Sequence, residues 1–256
     1  DSPRPGHADL AGILKYGFND ARNVLERASA RETAARVGCG AVCKMFLDEF
    51  KIKIFSRVIS IGGESDYQSM REKVYEAMAK KDTIGGIFEV ISKDVPVGLG
   101  SYVQADRRLD ARIAQAIISI PGIKAVAFGL GFGYADILGS EAHDAIYYSR
   151  KKGYFRNTNN AGGIEGGISN GQDIVVRACM KPICTLLKPL DSVNISTKKR
   201  SSAAVERSDI CVVEAAGVIA ESGVACVLAD AILDKFGSDS LGDIKLNYKN
   251  YLKRLR

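Results

Sequence analysis

His7 stands in the stretch Arg4-Pro5-Gly6-His7-Ala8-Asp9 and is one of only two histidines in 256 residues. Imidazole is the side chain best suited to moving a proton near neutrality. A Pro-Gly pair just ahead of it would hold the ring in a tight turn, with Arg4 and Asp9 as flanking charges. The plainer reading is a turn histidine bonded to nearby backbone. His143, in Gly-Ser-Glu-Ala-His-Asp, reads as an exposed loop residue. No Ser-His-Asp or Cys-His pattern can be assembled from sequence order alone.

Anion-binding chemistry is suggested further along. Ser29 and Glu32 form a Ser-x-x-Glu capping box, which predicts a helix opening near Ala30. Arg22, Arg27, Arg31 and Arg36 crowd its approach. Free N–H groups at a helix start favour a phosphate, and guanidinium groups add bidentate bonds. Arg27 and Arg31 flank the cap and favour the anion site, whereas Arg36 reads equally well as part of a solvated face. Gly162, Gly163, Gly166 and Gly167 would let backbone amides approach a flat or anionic ligand, or else form a plain flexible loop. In ERSDICVV, Arg207 could meet a phosphate and Asp209 take a proton, although a carboxylate at a helix entry is commonly a cap. GLGFG, residues 129–133, lacks the spacing of a dinucleotide fingerprint, so its glycines are expected to let a strand bend.

The elements that must position these groups alternate irregularly. Strands are expected over IKIFSRVISIGG (52–63), over GGIFEVISKDVPVGLGS, which ends in a Gly-rich turn, and over IKAVAFGLGFG and IVVRACMKPICTLL. DYQSMREKVYEAMAKKD places Met70, Val74, Ala77 and Met78 on one helical face, and RRLDARIAQAIISI is a second amphipathic helix ending before Pro121. AARVGCGAVCKMFLDEF, apolar nearly all round between Val37 and Cys43, and residues 214–237, apolar almost all round, read as helices buried on several sides, the latter capped by Gly237. LAGILKYGFNDARNVLERAS reads as a polar stretch, and residues 157–173 are too rich in Gly and Asn for regular structure. STKKRSS is expected in a loop, and KNYLKRLR in a terminal tail. Enclosed helices with irregular alternation point to an α+β fold, with helices sandwiched between sheets, and the length allows one large domain or two small ones.

Composition is that of an ordinary globular protein. A net charge of +6 favours anionic partners. Basic segments interleaved with stacking aromatics are lacking, which ranks nucleic acid below a small anionic ligand. No uninterrupted apolar run approaches a spanning length, and the first residues lack signal-peptide character, so no membrane and a cytoplasmic location are expected. The chain does not begin with Met, which suggests numbering that starts inside a longer protein. Cys39, Cys43, Cys179, Cys184, Cys211 and Cys226 form no CxxC pair and are expected to be buried thiols, with no metal site.

Taken in order, RPGHADLAGILKYG, ERASARETAARV, VPVGLGS, LDARIAQAIISIPGIKAVAFGLGF, NNAGGIEGGISNG, KPICT and ERSDICVVEAA resemble the chorismate synthase family over nearly the whole chain. The resemblance implies a β-α-β sandwich with antiparallel sheets, a single domain of this family over residues 1–256, and a homotetramer. It implies 1,4-elimination of phosphate from 5-enolpyruvylshikimate 3-phosphate to give chorismate, within aromatic amino-acid biosynthesis. It also implies reduced FMN without net redox change, and an association with NADP. His7 would be the histidine that protonates the reduced flavin, and Asp209 the carboxylate that assists the later proton removal. Flavin contacts would come from Arg27, Ala28, Ser29, Pro121, Gly122, Gly166, Lys181, Pro182, Ile183, Cys184, Thr185 and Arg207. Arg4, Ser29, Arg31 and Arg207 would meet the substrate's anionic groups.

Three departures from the family pattern stand out. The family's N-terminal portion, with a Gly-Glu-Ser-His-Gly motif and a second catalytic histidine, does not occur in this sequence. Ser208 stands where the family usually has His, and Cys184 and Pro121 also differ from the usual residues. An inactive flavin- or phosphate-binding fragment is the alternative these departures raise.

Overall fold

The computed structural model describes residues 2–255. In chain order the helices are α1 (Asp9–Tyr16), α2 (Arg22–Ala28), α3 (Thr33–Asp48), α4 (Tyr67–Ala79), α5 (Leu109–Ile118), α6 (Gly139–Ala142), α7 (Val213–Phe236) and α8 (Leu241–Arg254). The strands are β1 (Lys53–Ile61), β2 (Gly86–Lys93), β3 (Ile123–Phe128), β4 (Ile146–Ser149), β5 (Gly153–Arg156), β6 (Ile164–Glu165), β7 (Ile168–Ser169), β8 (Ile174–Met180), β9 (Asp191–Val193) and β10 (Arg200–Ser202). The pairs β4–β5, β6–β7 and β9–β10 are antiparallel, in keeping with the α+β class. The chain divides into two compact units. One takes residues up to Thr33, Val58–Ile87 and Met180–Val213; the other takes Ala34–Arg57, Phe88–Cys179 and Glu214 onward.

In the first unit, α1 and α2 occupy the stretch expected to be merely polar. Each buries little of itself, Asp9 and Ile13 from α1 and Val24 from α2, so no apolar stripe announced them. Their packing hangs on Gly12, where a Cβ would fall 2.5 Å from Val24 Cγ1. α1 ends at Gly17, whose φ of 66° only glycine adopts without strain. α4 is capped by Asp66, whose carboxylate accepts from the Ser69 amide at 3.0 Å. Its expected face is half realised, since Ala77 is buried but Met78 is exposed. STKKRSS forms the turn and second strand of the β9–β10 hairpin, a short ladder a loop-like composition concealed.

The second unit is built on α7 and most of the four-stranded sheet of order β1-β2-β8-β3. Phe88 and Val90 of β2, and Ile174 and Val176 of β8, are fully buried. Each such side chain stabilises the fold by about 1.5–3 kcal/mol. Glu89, also buried, accepts from Arg57 Nε at 2.8 Å and Arg177 Nε at 2.9 Å, so its charge is neutralised across neighbouring strands. α7 is a core helix, as its all-round apolarity predicts, with Val224, Ala225, Leu228 and Ile232 inaccessible to solvent. Among the described residues it is also the one helix long and apolar enough to cross a membrane, but 56% of that window is buried inside the protein. Its Glu221 bonds the Ser56 amide at 2.8 Å and pairs with Lys44.

α3 meets α7 where Gly40 faces Ser222, and it departs from expectation elsewhere. Leu47 is buried, but Val42 is 67% and Met45 71% exposed, so this apolar helix is covered on one side only. Cys39, on the same helix, is exposed, and none of the six cysteines is in a disulfide among the described residues. Residues 157–173 carry the small β6–β7 pair instead of being wholly irregular. Gly129 is glycine because a Cβ there would strike the Asn160 carbonyl at 1.8 Å, a closer constraint than strand bending. The basic C-terminal stretch is not a tail but α8, capped by Ser240, with Tyr248 edge-on to Phe236 at 5.3 Å and Phe50 at 5.1 Å.

Candidate active site

The site begins with a turn. Pro5 and Gly6 occupy its central positions, Gly6 at φ 78°, and the His7 amide donates to the Arg4 carbonyl at 3.2 Å. Pro followed by a positive-φ Gly is the requirement of a type II turn. Lys181 donates to the Gly6 carbonyl, and a Cβ on Gly6 would sit 3.4 Å from Cys184 Cβ. Residues 181–185 therefore lie along the turn as its backing. That segment is anchored in turn by Thr83, whose hydroxyl donates to the Ile183 carbonyl at 2.7 Å.

Arg4 is the hub of the cluster and is only 6% exposed. Its Nε donates to Asp9 Oδ2 at 2.9 Å, and Nη1 to Thr185 Oγ1 at 2.9 Å. Nη2 lies 3.2 Å from Asp9 Oδ1, and Glu206 approaches Nη1 at 3.5 Å. Asp9, in the first turn of α1, places Oδ1 2.5 Å from His7 Nδ1. Burial alone would raise the Asp9 pKa, but the Arg4 hydrogen bonds and the charges of His7 and Arg4 outweigh it and hold the carboxyl below its ordinary value. Burial likewise works to lower the Arg4 pKa and is overcome by Asp9, with help from Glu206, so the guanidinium is held above its ordinary value.

Of the residues singled out in sequence, Arg4 thus bonds both His7 and Thr185, Lys181 and Cys184 lie against the turn at Gly6, and Pro182 and Ile183 run between those two. Arg4 was expected to face substrate. Its nitrogens are instead spent on protein partners, because a carboxylate and a hydroxyl buried beside it need a donor of fixed geometry. Arg27, Ala28 and Ser29 lie at the end of α2, in the same unit as His7. Ser29 caps a single 3-10 turn, Ala30–Glu32, by accepting from the Arg31 amide at 3.4 Å, not the Glu32 amide of the expected box. Arg31 pairs with Glu26 at 3.0 Å in an exposed bridge. Arg36 reaches Ser119 Oγ at 2.7 Å. Arg207 and Asp209 are exposed on the segment that follows Glu206. Pro121 and Gly122 (φ 90°) follow α5, and Gly166 (φ 59°) turns between β6 and β7, all in the second unit.

Two participants were not singled out as site residues from sequence, Asp9 and Glu206. Asp9 had a signal, a carboxylate two positions beyond a scarce histidine. An acidic residue in the first turn of a helix is also an ordinary dipole partner, and sequence does not display its burial.

The family model for chorismate synthase matches residues 1–233. The chain belongs to the chorismate synthase family. A chorismate synthase from Caldanaerobacter subterraneus subsp. tengcongensis is 54% identical over 254 residues, covering 99% of this chain and 73% of the relative. One from Aquifex aeolicus is 48% identical, covering 99% of this chain and 72% of the relative. A crystal structure of a chorismate synthase superposes with a TM-score of 0.83 at 42% identity, over 97% of this chain and 76% of that one. The protein is therefore a member of a family of lyases with the α+β fold expected from its sequence.

The chorismate synthase family implies a flavin. The donor set in the first unit fits an anionic one: Arg27 and Arg207 are exposed, and no carboxylate pairs with either among the described residues. Gly166 is exposed with no atom within 4 Å of where a Cβ would stand, so its backbone is open to a flat ligand.

Proposed function

We propose that this protein is a chorismate synthase, eliminating phosphate 1,4 from 5-enolpyruvylshikimate 3-phosphate with reduced FMN as cofactor. The observation that carries this reading is His7 held by buried Arg4 and Asp9 in a chain that matches chorismate synthases over almost its full length. Reduced FMN would supply electron density to the departure of an allylic phosphate, chemistry that no side chain provides.

The protein's own part is binding, orientation and proton handling. By the family resemblance, Arg27, Ala28, Ser29, Pro121, Gly122, Gly166, Arg207 and the segment Lys181–Thr185 would hold the flavin. Arg207, Arg31 and Ser29 would meet the substrate's phosphate and carboxylates. Arg4 acts through His7 and Asp9, because its own donors are already engaged. His7 would hold a proton against the flavin ring from a turn that Pro5 and Gly6 keep rigid. Asp209, exposed beside Arg207, would accept the proton that leaves the substrate. Homotetrameric assembly and a cytoplasmic setting accompany this reading, supported by the family resemblance.

The test is anaerobic incubation of the protein with reduced FMN and 5-enolpyruvylshikimate 3-phosphate, following chorismate absorbance. Chorismate formation that depends on reduced flavin is expected. Flavin binding with no product would sink the enzymatic reading.

A further inference from the structure

We propose that Asp9 is a positioning residue, one that locks His7 in the Nδ1–H tautomer and so makes Nε2 the nitrogen that exchanges protons. The geometry comes first. Asp9 Oδ1 stands 2.5 Å from His7 Nδ1, while Oδ2 accepts from the Arg4 amide at 3.1 Å and from Arg4 Nε at 2.9 Å. A carboxylate held at three points cannot swing away from the ring. An ionised carboxylate only accepts hydrogen bonds, so Nδ1 must carry the hydrogen between them.

One competing arrangement exists. Arg4 Nη2 lies 3.1 Å from the same Nδ1, and it could donate there if Nδ1 held a lone pair. Asp9 would then have to be protonated, because two acceptors 2.5 Å apart repel. Its carboxyl is held below the ordinary range despite burial, by the Arg4 hydrogen bonds and the neighbouring positive charges, so the arrangement does not form. Arg4 therefore serves Asp9, and Asp9 serves His7.

Nε2 is left as the ring's working edge. Arg4 Nη2 stands 3.4 Å from it and is a donor, not an acceptor, so no carboxylate or carbonyl among the described hydrogen bonds claims that nitrogen. The His7 side chain is 16% exposed, so a proton can reach the ring from outside the cluster. An imidazole whose two nitrogens have such unequal surroundings keeps one tautomer, and a carboxylate partner is the usual means. The catalytic consequence rests on the proposed role of His7; the tautomer itself does not.

The test is a long-range proton–nitrogen NMR spectrum of the full chain labelled with nitrogen-15 histidine, at a pH where the ring is neutral. With two histidines present, His7→Gln assigns the signals, and exposed His143 serves as the internal reference. His7 is expected in the Nδ1–H form, and Asp9→Asn is expected to shift it toward the Nε2–H form, because the amide can offer N–H to Nδ1. His143 should not change. In turnover, Asp9→Asn should lower kcat roughly 100-fold with little change in KM. A dominant Nε2–H tautomer in the unaltered protein overturns the proposal even if Asp9→Asn fails to fold. An unchanged tautomer in a folded Asp9→Asn overturns it as well. A shifted tautomer with undiminished kcat keeps the lock but removes His7 from proton transfer, which separates the two readings.

Discussion

Arg4 Nη1 donates to Thr185 Oγ1 at 2.9 Å, tying together residues 181 positions apart in the chain. Thr185 is buried, so its hydroxyl is a structural acceptor that water cannot readily replace. Thr185→Val keeps the shape and removes the acceptor of a charged donor. The fold should lose about 1–3 kcal/mol, read from urea unfolding, and Thr185→Ser should recover most of it.

His7→Ala should leave the circular dichroism spectrum unchanged and reduce turnover by about 10²–10⁴-fold, the usual contribution of a positioned proton carrier. Near-normal turnover would remove the proton role.

Arg27 and Arg207 are exposed guanidiniums of the first unit with no carboxylate partner among the described residues. Arg27→Ala and Arg207→Ala should each weaken flavin affinity about 10-fold to 100-fold, the range of one lost charge-assisted bond. Titration followed by flavin fluorescence measures it. Arg22 is already held by Asp20 at 2.7 Å, and Arg22→Ala is expected to leave the affinity unaltered.

Asp9 links the cluster to acid stability. Its folded pKa lies below the ordinary 3.8, so the unfolded chain takes up a proton at a higher pH than the folded one. The stabilisation is complete above 3.8 and is lost as pH falls from there toward the folded pKa. Urea midpoints measured downward from pH 5 should drop through that window. Asp9→Asn should flatten the drop, and it should cost stability at neutral pH by about 3–5 kcal/mol because buried Arg4 loses the carboxylate that pairs with it most closely. An Asp9→Asn protein as acid-sensitive as the parent would contradict this account.

Gly40 packs against α7, where a Cβ would fall 2.2 Å from Ser222 Cβ and 2.5 Å from its Cα. Gly40→Ala raises helix propensity but overfills the contact, so a net loss of about 1–3 kcal/mol in urea unfolding is expected. A gain would mean that the helices stand further apart.

The amino-acid sequence alone determined what depends on neighbours along the chain. The main strands followed from β-branched runs, α4 and α5 from helical periodicity, α3 and α7 from all-round apolarity, the Gly237 cap from a positive-φ requirement at a helix end, and the turn before His7 from Pro5-Gly6. Block order was enough to place the chain in its family. Tertiary structure decided what depends on residues far apart. α1 and α2 bury too little to show an apolar period, and their contact is a missing side chain at Gly12 against Val24. The composition of α3 announced burial without saying which side is covered, since apolarity is a property of residues and burial one of partners. Asp9 beside a histidine was visible from the start. Only the fold showed that Arg4 turns inward to it, because a guanidinium and a carboxylate buried together satisfy each other whatever their distance in sequence.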